Sequence, residues 1–570
     1  MKEILIIFKT HLDIGFTDLS ENVKQKYVRS YIPNAIKVGY ELKDTDTPFV
    51  WTVGSWLINE ALKVDESGKV EQAIKDGILN WHALPFTSHT ELMSVKLFEY
   101  GLDVSARLDA RFGVKTVGAK MTDVPGHTQG MIPLMSRRGI KFLHIGVNEA
   151  TPVPPVPSVF RWRQGQDEIR VMYQGEYGTD ADFGDFAVCF AHTNDNCGPQ
   201  SADEIRSIYE EIAKKYPNCV LKAATLNDVA ERVGALTDLP VIDKEIGDTW
   251  IHGAATDPKK LSKYRALLRR IEKDGINADV TDSLLCVPEH TWGLDLKTFF
   301  KNNSVYTHTE LETAKDERAF IESSWEEQRG YVALAEKVLG KVDECEVTEP
   351  SLDGYTETAA PVVEDIEISW QLFDVGDYER YKKDYMRTHI WWAIADFTKV
   401  GLPVYNGGIF IAKPVKAYEK NGCTLVRLEF DAEITERLGL PYFIYERTEK
   451  GIMLKWFGKK ASRLPQACWL KFKGYTENWE ISKMGVWIKP ENVIGSPLIA
   501  ATDRGVRNGE VTVEPLDSAL VAPYGRRLLH YGEENGSQDL YFNLYNNIWN
   551  TNFPMWYSDD ALFRFEIKKQ

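Results

Sequence analysis

The sequence predicts a multidomain chain that runs α/β, then α, then β, and three observations predict it. Up to about residue 255, short apolar runs alternate with stretches of helical spacing. From Pro258 to about Leu339 the pattern turns helical, charged and amphipathic. After Gly401, short apolar runs are punctuated by Gly, Asn, Asp and Pro, as in an antiparallel β domain. The expected domains are 1–257, 258–400 and 401–570.

In the first part, Glu3–Phe8, Phe49–Val53, Thr116–Met121, Phe142–Val147 and Val220–Ala223 read as strands. Ser20–Asp44, Lys69–Asp76, Lys96–Phe112 and Ala202–Lys215 read as the helices between them. Strand, helix, strand repeated this way implies a mainly parallel sheet, whose chemistry sits at the carboxyl ends of its strands. In the second part, Lys259–Asp274 and Thr309–Leu339 are long helices, Glu346–Asp365 a loop, and about Asp377–Lys399 a further helix. Together they form a helical bundle, with Trp391 and Trp392 expected in its core. In the third, Thr424–Phe430, Gly451–Phe457, Ala467–Lys473 and Ala519–Ala522 are expected as strands of a β-sandwich.

A length of 570 residues exceeds a single core. The net charge of −16 argues against nucleic acid and anionic membranes, which both need basic surface. No apolar run approaches the roughly 18 residues of a spanning helix, and Ile4–Phe8 is too short for a signal segment. The seven cysteines are scattered, without a CxxC pair, so reduced thiols and a cytoplasmic location are expected. Cys189, His192 and Cys197 are close in sequence but match no common zinc spacing. The 16 Trp, 25 Tyr and 25 Phe hint at sugar stacking as well as a large core. A homo-oligomer is left open.

Four stretches carry residues able to do chemistry. In KTHLDIGFTD, His11 and Asp13 share one face if the first strand reaches them, and both are normal zinc ligands. In KMTDVPGHTQG, a second strand-like run ends near Asp123, followed by a turn and His127. In KEIGDTWIHGAATDPKK, Glu245 and Asp248 precede Trp250, His252 and Gly253, and Asp257-Pro258 reads as a helix cap and first turn. In CVPEHTWGLD, Glu289, His290, Trp292 and Gly293 interrupt a helical region. Each stretch taken singly reads as an ordinary capped strand end or polar loop; four such element ends together point to convergent ligands.

These motifs resemble those of glycoside hydrolase family 38, the zinc-dependent α-mannosidases, in a shorter bacterial branch. The family's His-Asn-Asp-Pro-Gly-Trp is matched by His11-Leu12-Asp13-Ile14-Gly15-Phe16 and its Asp-Pro-Phe-Gly-His by Asp123-Val124-Pro125-Gly126-His127. Its Tyr-Trp-x-Gly segment is matched more loosely by Asp248 to Gly253, and its late His by His290. The resemblance implies a seven-stranded (β/α) barrel-like domain, a helical bundle and β-sandwich material. It implies one Zn²⁺ per chain on His11, Asp13, Asp123 and His290, with Asp123 also the nucleophile and Asp248 the general acid and base. Glu245 is the substitute acid. The implied activity is retaining hydrolysis of terminal α-mannosides or related α-glycosides, on a small-molecule or oligosaccharide substrate. Phe16 stands where the motif has Trp, which shrinks its aromatic platform. Expected substrate contacts are Phe16, His82, His89, Glu91, Trp250 and His252.

Two other readings accompany this one. A zinc-dependent carbohydrate deacetylase would use metal-bound water and so needs an open metal position. A non-catalytic carbohydrate-binding protein would keep the hydrolase scaffold without turnover. The segment around Asn547, Trp549, Asn550, Asn552 and Trp556 suits either sugar contact or a turn in the β domain.

Overall fold

The computed structural model describes residues 2–359, 361–495, 499–523, 525–526, 528–531 and 539–569. The chain divides into two compact units. The first comprises Met1–Thr90, Val95–Lys244 and Glu289–Thr291, and the second Glu91–Ser94, Glu245–Pro288 and Trp292–Gln570.

The first unit is built on strands β1 (Glu3–His11), β2 (Trp51–Gly54), β3 (Leu79–His82), β4 (Gly118–Asp123), β5 (Phe142–Val147), β6 (Val159–Gln164), β7 (Asp167–Gln174), β8 (Ala181–Asp182), β9 (Phe186–Asp195), β10 (Val220–Ala223) and β11 (Val241–Ile242). Their ladders run as two sheets, where the sequence suggests seven strands in one barrel-like ring. One has the order β3-β2-β1-β9-β8, with β10 also on β1; the other has the order β11-β6-β7-β5-β4. Between β3 and β4 a backbone bond, Ala83 N to Gly118 O at 3.0 Å, takes the place of a ladder.

β1 pairs in parallel with β2, β9 and β10, and its residues from Ile4 to His11 are buried on both faces. That is why Ile4 to Phe8 form a continuous apolar run instead of alternating. Leu5, Ile7, Phe142, Met172, Val188 and Val229 belong to one buried cluster. Helix Ala202–Lys215 begins at a capping box between Ser201 and Glu204.

The second unit opens with helices. Pro258–Asp274 is capped by the Asp257 side chain with Pro258 in its first turn, as the sequence suggests. Lys315–Leu339 is the longest helix. Ile366–Leu372, within the segment expected to be helical, is a strand paired with Gln466–Thr476. Helices Val375–Tyr385 and Trp391–Phe397 follow. Trp391 is 70% exposed, which corrects its assignment to the core: it occupies the first turn, on the helix's outer side.

A ten-stranded and a six-stranded sheet follow, every ladder within them antiparallel, and Glu245–Ile246 pairs in parallel with Val493–Ile494 as a separate two-stranded sheet. Trp370 and Leu470 of one sheet share a buried cluster with Phe443, Trp456 and Phe563 of the other. The rings of Trp370 and Trp456 lie 6.0 Å apart. No described helix is long and apolar enough to cross a membrane.

Candidate metal centre

β1 delivers His11 at its carboxyl end and Asp13 two residues later. A register shift against β9 falls between Thr10 and His11. Asn196, just past β9, fixes the turn: its side chain bonds Asp13 N (3.1 Å), Asp13 O (3.2 Å), Gly15 O (3.2 Å) and Thr17 Oγ1 (3.0 Å). Phe16 closes the turn with a left-handed φ of 62°, a strained setting for an aromatic residue. β4 delivers Asp123, also left-handed at φ 80°. His290 arrives from Glu289–Thr291, the short segment that belongs to this unit although the chain on either side does not.

The Nε2 atoms of His11 and His290 face each other at 3.1 Å. Asp13 Oδ1 lies 3.2 Å from the first and 2.9 Å from the second. Asp123 Oδ2 lies 4.0 and 3.5 Å from the same two nitrogens. His11, Asp13 and His290 are buried, and among the described residues they are the one group of three or more such side chains whose ligand atoms converge. The other oxygen of Asp13, Oδ2, is buried without a hydrogen-bond partner.

The far sides of both rings are occupied. His11 Nδ1 is 2.7 Å from Thr122 Oγ1, and His290 Nδ1 is 2.7 Å from Glu289 Oε1. The Glu289 carboxylate beside His290 Nδ1 is a close charge contact without hydrogen-bond geometry, and its negative charge favours the protonated ring. Two imidazole nitrogens and two carboxylate oxygens then make an acceptor cage, the donor set of a zinc-type cation. Without a cation, protons take its part. Burial opposes charge on His290, but Glu289 and Asp13 outweigh it and raise its pKa well above the ordinary value. Burial likewise favours neutral Asp13, yet His11 and His290 hold its carboxyl well below the usual range.

Asp123 divides its two oxygens. Oδ2 faces the cluster, while Oδ1 accepts from Asn148 Nδ2 (3.0 Å) and the Tyr177 hydroxyl (2.8 Å). The Tyr177 oxygen also lies 2.9 Å from Asp195 Oδ1. Burial, with Asp13 and Asp123 nearby, pushes Asp195 up to about 6. Gly146 makes this possible: a Cβ there would meet the Tyr177 carbonyl carbon at 2.6 Å. Thr122, Asn148, Tyr177 and Asp195 are absent from the sequence reading, and Glu289 appears there without a role. Its position next to His290 was the available signal.

His82 and His89 are buried in the first unit. In the second, Asp248 is 2% exposed and accepts from Trp250 N at 2.9 Å. Glu245 is paired with Lys483. Glu91 lies 3.0 Å from Lys483 Nζ and accepts from Ala501 N at 2.8 Å, which makes it part of a buried ion cluster. Burial first, then Glu245 and Asp248, raise Glu91 to about 7; Glu245 and Glu91 outweigh burial to lift Lys483 to about 12. Trp250 Nε1 bonds the Tyr385 hydroxyl at 2.9 Å, and His252 stands edge-on to Trp549 at 4.3 Å. Asn547 and Asn550 spend their amides on Gln466 N, Ser462 O, Met555 O, Ala395 O and Arg463, which supports the structural reading of that segment.

The family described as "Domain of unknown function (DUF5054)" matches residues 254–357. No curated protein matches the chain. Two solved structures resemble it over its full length. One is an alpha-mannosidase from Enterococcus faecalis V583, with TM-score 0.60, 10% identity and 87% of that chain covered. The other is a protein in the glycosyl hydrolase family 38, also from Enterococcus faecalis, with TM-score 0.55, 9% identity and 86% covered. At that identity the shared property is the fold, and it is a glycoside-hydrolase-like one.

Proposed function

We propose that the protein is a metal-dependent retaining glycoside hydrolase acting on terminal α-mannosides or related α-glycosides. The observation that carries this reading is the buried convergence of His11, Asp13 and His290, with Asp123 Oδ2 3.5 Å from His290 Nε2, in a glycoside-hydrolase-like fold. A zinc-type cation bound there would neutralise the two carboxylates and offer Lewis-acid contact to sugar hydroxyls. Asp123 attacks the anomeric carbon while the bond to the leaving oxygen breaks, giving a covalent glycosyl-enzyme. Asn148 and Tyr177 hold its Oδ1 and so orient it. Asp248, the acid on the strength of its sequence position, protonates the leaving oxygen. It then takes a proton from the water that cleaves the ester and restores Asp123. Glu245 is the weaker choice because Lys483 already holds its carboxylate.

Metal analysis beside a panel of aryl α- and β-glycosides tests the reading. We expect about one divalent ion per chain, hydrolysis of an α-glycoside, and a fluorosugar adduct on Asp123 by mass spectrometry. Asp248→Asn should slow turnover by about 10²–10⁴-fold. Metal well below one per chain would sink the mechanism. Acetate release without glycoside cleavage would favour a deacetylase, and bound metal without turnover a binding protein.

A further inference from the structure

The first unit encloses a second polar feature that the reaction above does not use. A cavity of about 20 Å³ lies among Leu57, Val53 and Phe86 on its apolar side and Lys120, His82 and Thr87 on its polar side. That is room for one water-sized occupant. Lys120 is 6% exposed and His82 2%. Lys120 Nζ donates to Thr10 O (3.3 Å) and Thr122 Oγ1 (3.1 Å), both neutral. A second ammonium nearby, Lys9, donates to Tyr177 O at 2.6 Å and stands 5.4 Å over the Phe190 ring. Among the described residues neither lysine has a carboxylate partner. His82 Nδ1 is buried without a hydrogen-bond partner, and Thr87 Oγ1 accepts from Thr122 N at 3.2 Å, leaving its proton available.

A buried cation requires a counter-charge or gives up its proton. Burial lowers Lys120 to about 8, and burial together with the neighbouring lysine charges holds His82 well below its ordinary value. The residues lining the cavity thus include a lysine, a histidine with an unpartnered ring nitrogen and a threonine, around space for a single water-sized occupant.

We propose that this cavity is a binding site for one small monovalent anion of chloride size, held by the Lys120 ammonium, the His82 Nδ1–H and the Thr87 hydroxyl. An anion there supplies the counter-charge that Lys120 lacks and gives His82 Nδ1–H an acceptor. The site stands on its own geometry and does not depend on the hydrolase reading.

Bromide is the probe. The full chain, crystallised with bromide, should show an anomalous peak in the cavity. Thermal unfolding at matched ionic strength should shift upward by roughly 1–2 °C in bromide or chloride relative to gluconate, which is too large to enter. Lys120→Met should abolish the halide-specific shift; if that variant fails to fold, the wild-type halide-against-gluconate comparison and the anomalous map decide. Water alone in the cavity, halide-insensitive unfolding, or bromide confined to exposed lysines (an adventitious ion only) would each overturn the proposal.

Discussion

Glu289 reaches His290 Nδ1 across 2.7 Å, and through that one contact metal affinity can be tuned without altering a ligand. Replacing the carboxylate by an amide keeps the shape and removes the charge. The negative charge beside the ring is then lost and the imidazole nitrogen facing the cluster is a weaker donor. Glu289→Gln should lower affinity for a divalent ion by roughly 10–100-fold, read by competition with a chelating dye, with the far-ultraviolet spectrum unchanged. An unchanged affinity would show that Glu289 is only a packing group. At this scale the sequence is half legible. His11, Asp13 and Asp123 can be read because strand alternation and the Gly and Pro that follow mark where a strand ends. Tyr177 and Asn148 cannot, because nothing local distinguishes a tyrosine that will meet Asp123, 54 positions away, from one that fills a core.

Among the elements, the buried cluster of Glu91, Glu245 and Lys483 has the clearest consequence. One ammonium serves two carboxylates, all nearly inaccessible to water. A glutamate lifted from its ordinary 4.5 to about 7 binds its proton more tightly in the folded chain than in the unfolded one. Its contribution to stability is therefore full below about pH 4.5 and is lost as pH rises through about 7. The denaturation midpoint should fall between about pH 5 and 8, and Glu91→Gln, which cannot ionise, should flatten that fall; an identical slope in the variant would refute the assignment. Lys483→Met, by leaving two carboxylates without their cation, should cost about 3–5 kcal/mol. Glu91 pairs with a lysine far along the chain, and single-sequence patterns carry no information about such pairs. Strand ladders are more readable: the apolar run of β1 announces a strand buried on both faces. The separation of the N-terminal strands into two sheets depends on pairings that composition does not encode.

At the scale of the whole molecule, a bound cation would stabilise only the unit that holds it. At a hundred times its dissociation constant an ion contributes about 2.7 kcal/mol, or roughly 5–10 °C for a unit of this size. Calorimetry of the full chain should show one unfolding transition shifting on chelation while the other stays; equal shifts in both, or none, would contradict a site confined to the first unit. The order of the three sequence regions anticipates this division only in part, since Glu289–Thr291 returns to the first unit from within the second. That return has a consequence for synthesis. His11 and His290 stand 279 positions apart, so the first strand leaves the ribosome long before its partner exists. Most of the first unit is translated by residue 244, yet its cage lacks one wall until His290 has also emerged. Closing so long a loop is slow compared with helix or hairpin formation. The cage therefore cannot close on an ion before residue 290 has been made, and the strands of the first unit must form without help from the proposed cation.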